Sequence, residues 1–105
     1  MGEPAGDPFS ALGDPHRRAI LSLLGAQDLS VQQIAAGLPI SRPAVSRHLR
    51  VLKDAGLVSD RSQGTRRLYR VDPRGLAELR SYLEGFWEAA LADLAAAAET
   101  EEDEP

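Results

Sequence analysis

The chain has 105 residues, 43% of them apolar, a formal net charge of −4 and no cysteine. This suits one domain with a modest core, and it excludes disulfides, thiolate metal sites and a cysteine nucleophile. No basic segment leads into an apolar run near the start, and no apolar stretch could span a bilayer; a cytoplasmic protein with neither secretory signal nor membrane contact is expected.

Three Asp-Pro pairs, Asp7-Pro8, Asp14-Pro15 and Asp72-Pro73, each set a capping Asp before a proline suited to a first helical position. A short first helix is expected over Pro8–Leu12 and a second over Pro15–Leu24, stopped by Gly25. Ser30 and Gln33 have capping-box spacing, so a third helix starts there and runs to about Ala36. Gly37-Leu38-Pro39-Ile40 is a turn. Ser41 caps a fourth helix reaching about Ala55, with Pro43 in its first turn, where a missing N–H costs nothing. Residues 30–55 thus have the plan of a helix-turn-helix, in which one helix braces and the next enters a DNA groove.

Val58, Leu68, Tyr69 and Val71 favour strands on either side of the Ser62–Thr65 turn cluster, so residues 57–71 are expected to form a two-stranded hairpin, a wing. The last helix should span residues 73–98, ahead of an acidic, frayed end over 99–105. The whole reads as a single domain, mostly α with a small β-hairpin wing and about five helices: a winged helix-turn-helix.

Charge is distributed unevenly along this plan. Residues 41–74 hold nine Lys and Arg against Asp54, Asp60 and Asp72, whereas residues 75–105 hold Arg80 alone against nine acids. A local basic region of this kind is the electrostatic footprint of a nucleic-acid surface, which a low overall charge does not exclude. At 100° per residue, Arg42, Ser46, Arg50 and Lys53 fall within about a quarter turn of the fourth helix, flanked by Pro43 and Arg47. Ala44, Val45, Val51, Leu52 and Ala55 lie opposite, with Leu49 at the edge. Arg42, Ser46 and Arg47, near the helix start, suit base reading; Arg50 and Lys53 suit phosphates. The DNA-binding set expected is therefore Ser41, Arg42, Pro43, Ser46, Arg47, Arg50 and Lys53, with Arg61, Arg66 and Arg67 of the wing. The wing carries four arginines against Asp60 alone, an excess suited to a phosphate backbone.

His48 falls on the apolar side and is expected to be a packed core histidine; His16 is expected to be an ordinary surface residue. Two His and no Cys make no transition-metal site unless carboxylates contribute, so no metal or cofactor is expected. No Gly-rich phosphate loop, metal-ligand spacing or nucleophile–base pair suggests an enzyme. In the last helix Leu76, Leu79, Leu83, Phe86, Trp87, Ala90, Leu91 and Leu94 fall on one side, part of it core. Three short helices cannot cover so long a stripe, and the excess is expected to meet a second copy. Phe9, Leu12, Leu83, Phe86, Trp87, Leu91 and Leu94 are the expected homodimer contacts.

Four segments together resemble the ArsR family of bacterial winged-helix repressors: Ala11–Leu21, Ser41–Leu52, Ala55-Gly56-Leu57-Val58 and Gly64-Thr65-Arg66-Arg67-Leu68-Tyr69. The resemblance spans roughly Phe9–Leu94. It implies a homodimer that binds double-stranded DNA at a palindromic operator and represses transcription. The family's metal-binding cysteines of the third helix have no counterpart in Ser30–Ala36, and no His follows His48 to make a last-helix zinc site. The chain is thus similar to the cysteine-free members, for which an unknown small-molecule effector at the dimer interface is an alternative, as is a protein–protein module with the same fold.

Overall fold

A computed structural model describes residues 6–25 and 27–102. Among them lie five helices and three strands: α1 (Pro8–Ala11), α2 (Pro15–Leu24), β1 (Leu29–Ser30), α3 (Val31–Ala36), α4 (Arg42–Asp54), β2 (Val58–Gln63), β3 (Arg66–Val71) and α5 (Pro73–Glu102).

Local chemistry accounts for most of these limits. The Asp7 carboxylate accepts the Phe9 N–H at 3.2 Å, Asp14 accepts those of His16 and Arg17 at 2.7 and 3.3 Å, and Asp72 accepts that of Arg74 at 3.0 Å. Each thereby satisfies donors that the helix cannot pair internally. The capping box at α3 is complete: Gln33 N–H donates to Ser30 Oγ at 3.2 Å, and Ser30 N–H to Gln33 Oε1 at 2.9 Å. Two arginines of α2 reach back to the end of α1, Arg17 Nε to the Ala11 carbonyl and Arg18 Nη1 to that of Leu12, both at 2.6 Å. They fix the corner between the first two helices.

The sheet has three strands in the order β1-β3-β2, all antiparallel, rather than the two expected. Leu29 pairs with Tyr69 and Ser30 with Leu68. A two-residue strand has no periodicity to read, and it exists here because β3 offers it a partner. The β2–β3 ladder closes at Gln63–Arg66 around a two-residue turn, with Gly64 at φ +64°, where a side chain would be strained.

The core gathers Ile20, Leu24, Ile34, Val45, Leu49, Leu52, Leu57 and Val58, with Leu79 as the contribution of α5. Each such side chain taken from water contributes about 1.5–3 kcal/mol. Gly75 meets the backbone of Gly56 and Leu57 so closely that a Cβ would overlap the Gly56 carbonyl oxygen, which lets the start of α5 lie on the corner after α4.

Beyond Leu79, α5 leaves the body. Every residue from Arg80 to Glu99 is exposed, and Leu76 is 39% exposed. The apolar side of this helix is therefore far less core than expected. The radius of gyration is 19.1 Å and the extents are 71 × 36 × 21 Å, against roughly 13 Å for a compact chain of this size. The helix also continues to Glu102, past the expected end at Ala98. Ala95–Ala98 and Glu99 have high helix propensity and carry the final turns through the acidic end. The remainder of the expected frayed end, 103–105, lies outside the described residues.

Candidate nucleic-acid interface

The fourth helix separates cleanly into two sides. Val45, Leu49 and Leu52 are buried, at i, i+4 and i+7, while Arg42, Pro43, Ser46, Arg47, Arg50 and Lys53 are exposed. Ser41, also exposed, accepts the Ala44 N–H on its Oγ at 3.2 Å. Two side chains depart from the sides that helical periodicity assigns. Leu49, placed at the edge, is 1% exposed, and Val51, placed inward, is 40% exposed. α1, α2, α3 and β2 pack against α4, and Val51 lies outside the stripe they cover, beside Arg47 and Arg50.

Among the described residues no hydrogen bond or ion pair engages the side chains of Arg42, Arg47 or Arg50. The wing behaves in the opposite way, for each of its arginines is held. Arg61 donates to Asp28 Oδ2 at 2.6 Å and to Gln63 Oε1 at 3.1 Å. Arg66 donates to Gln33 Oε1 at 3.1 Å, the same oxygen that closes the α3 capping box. Arg67 donates to Asp60 Oδ2 at 2.9 Å. Arg70 Nε lies 3.2 Å from Asp28 Oδ1 as an ion pair, without the alignment of a hydrogen bond.

Asp60 joins the two surfaces. Its side chain is 8% exposed, and its second oxygen lies 3.0 Å from Lys53 Nζ. A single carboxylate thus spans the recognition helix and the wing. Burial would raise the Asp60 carboxyl, but the hydrogen bonds from Lys53 and Arg67 outweigh it and hold it below its ordinary value. Asp28 is also held low, first by its hydrogen bond from Arg61. A groove of about 450 Å³ runs between α4 and the wing, lined by Ser46, Arg50, Lys53, Asp60, Arg67 and Tyr69. Arg42, Arg66 and Arg67 also border a smaller one of about 300 Å³ beside α3.

Asp28, Gln33 and Asp60 were absent from the expected site. Only Asp60 gave a signal in the sequence, as a lone acid among the wing arginines. Asp28 lies 33 residues from Arg61 and still further from Arg70, and Gln33 lies 33 residues from Arg66.

The expected dimer residues divide between the first helix with its C-cap and α5. Phe9, Leu83, Phe86, Trp87, Leu91 and Leu94 are exposed, between 40% and 67%. Leu12 is half-buried against the chain's own core. Tyr82, missing from that set, links them: its ring centroid lies 4.7 Å from Phe9 and 4.9 Å from Phe86, both edge-on. The aromatic row makes α1 and α5 one continuous apolar face.

His48 is not a core histidine. It is half-buried on the flank of α4, its Nδ1 3.4 Å from Arg17 Nη1 and its ring 5.7 Å from that of His16. Burial lowers its pKa, with Asp14 opposing. His16 is exposed, as expected, yet the fold places it with His48 and Asp14. Asp14 is held below its ordinary value, since the N–H groups of His16 and Arg17 that it caps outweigh the effect of burial.

Comparison with known proteins agrees with this geometry. The family model "Bacterial regulatory protein, arsR family" matches residues 14–60. The HTH-type transcriptional regulator Rv2034 of Mycobacterium tuberculosis is 51% identical over 96 residues, covering 91% of this chain and 90% of the relative. The transcriptional repressor SdpR of Bacillus subtilis is 45% identical over 56 residues, 53% of this chain and 62% of that one. The solution structure of the homodimeric winged helix-turn-helix DNA-binding domain of Mb0332 from Mycobacterium bovis superposes with a TM-score of 0.63 at 31% identity, covering 80% of this chain and 78% of that one. No helix among the described residues is long and apolar enough to cross a membrane. With an exposed basic helix, a braced wing and a near full-length relative of this kind, the chain belongs to the ArsR family of winged helix-turn-helix proteins and is a DNA-binding transcriptional regulator, not an enzyme.

Proposed function

We propose that the protein acts as a repressor, two copies joined through α5 and α1 and seated on a two-fold symmetric DNA operator. One observation carries the DNA contact: Arg42, Arg47 and Arg50 stand unpaired on the exposed side of α4, beside a wing whose arginines are already held in place. Arg42, Ser46 and Arg47 near the start of α4 read base edges in the major groove. Arg50, Lys53 and the wing residues Arg61, Arg66 and Arg67 meet phosphates. The exposed aromatic row of α1 and α5 supports pairing of two copies, as does the homodimeric state of the Mb0332 domain; repression follows the activity by which SdpR is named.

Fluorescence anisotropy on DNA from upstream of the protein's own gene tests this, with non-specific competitor at physiological salt. Specific binding is expected. Arg50→Ala and Arg66→Ala should each weaken binding to all sequences and flatten the log–log salt slope by about 0.9 for each phosphate no longer neutralised. An unchanged slope for both variants would overturn the phosphate assignment. Absence of DNA binding, with retention on an acidic protein partner, would favour the interaction-module reading instead.

A further inference from the structure

The notable cluster outside the DNA face is Asp14, His16 and His48. One donor atom from each lies within 4.8 Å of the other two, across the first turn of α2 and the flank of α4. His16 Nδ1 is 3.9 Å from Asp14 Oδ1. Zinc takes nitrogen and oxygen ligands at roughly 2.0–2.2 Å, so these atoms must draw together by about an ångström. His16 can supply that movement, because its side chain is half exposed. Asp14 Oδ1 is engaged in capping, which leaves Oδ2 with only the Arg17 guanidinium 3.9 Å away. Arg17 and Arg47 both act on His48 through their charge, and Arg17 is anchored outside the cluster by the 2.6 Å hydrogen bond from its Nε to the Ala11 carbonyl. Arg17 Nη1 lies 3.9 Å from Asp14 Oδ2 and 3.4 Å from His48 Nδ1, the latter long for a hydrogen bond, so little is given up when that nitrogen turns to a metal.

We propose that Asp14, His16 and His48 bind one divalent transition-metal ion of the zinc class, with water completing the coordination. Two imidazoles and a carboxylate are a borderline donor set that suits Zn²⁺ and Co²⁺ better than Mg²⁺ or Ca²⁺. The ion would tie the capped start of α2 to the recognition helix one residue from Arg47. It needs no cysteine and uses neither α3 nor α5.

The test uses the full chain without an affinity tag, stripped with a chelator. Calorimetric titration with Zn²⁺ should give one ion per chain, Co²⁺ should develop visible bands of four- or five-coordinate geometry, and Zn²⁺ should raise Tm. His16→Gln should leave the metal-free Tm unchanged, weaken Zn²⁺ at least tenfold and abolish both the bands and the Tm rise. His48→Gln should also lose the ion. No saturable binding by the wild type, or binding and Tm rise retained in His16→Gln, would overturn the site.

Discussion

At the scale of single residues, Asp60 does the most with the least surface. It neutralises part of Lys53 and Arg67, and in return fixes the angle between recognition helix and wing. Both cations are about half exposed, so solvent screens the arrangement. Asp60→Asn should cost about 1 kcal/mol near neutral pH, read from urea unfolding. The pH dependence has a definite sign. A carboxylate whose folded pKa is depressed contributes stability that is present above its unfolded value, about 3.9, and is lost as pH falls through the folded value. Asp14, Asp28 and Asp72 carry the same sign. His48, whose folded pKa is lowered by burial, costs stability as pH falls through its unfolded value of about 6.5, so wild-type Tm should decline modestly from pH 7 to 5 and fall further below about pH 4, where the fall is shallower for Asp60→Asn.

At the scale of elements, the helix starts were legible because an Asp or Ser cap is chemistry among adjacent residues. All three Asp-Pro pairs place an Asp that accepts a helix N–H. The basic side of α4 was legible for a similar reason, since helical periodicity assigns sides without knowledge of the neighbours. The neighbours decided how wide the buried stripe became, so Leu49 and Val51 exchanged places and His48 moved to the flank. The start of α5 depends on backbone meeting backbone. Gly75→Ala would drive a methyl group into the Gly56 carbonyl; a loss of about 1–3 kcal/mol is expected, visible as a lowered Tm by circular dichroism.

At the scale of the whole molecule, the outstanding fact is a 30-residue helix, about 45 Å long, whose outer two-thirds stand exposed. Trp87 at 65% and Leu94 at 67% exposure leave apolar surface in water that a second copy can cover. Trp87→Glu should leave the fold intact, since the residue lies outside the core, and should yield monomers in sedimentation velocity. Without the second half-site, operator binding should weaken on the order of 10²-fold. In the proposed dimer the two α4 helices would lie about 34–36 Å apart, so protected half-sites should repeat every 10–10.5 base pairs.

Caps, turns, helical sides and the clustering of positive charge are settled among residues near one another in the chain, and these were readable from composition and spacing. The β1–β3 pairing of the sheet, the Asp28, Gln33 and Asp60 anchors of the wing, and the meeting of Asp14 and His16 with His48 join positions roughly thirty to forty residues apart or, for Asp60 with Lys53 and Arg67, seven residues apart on different elements. No local pattern encodes such pairings. They arise only when burial of Ile20, Leu24, Ile34, Val45, Leu49 and Leu52 brings α2, α3, α4 and the wing against one another.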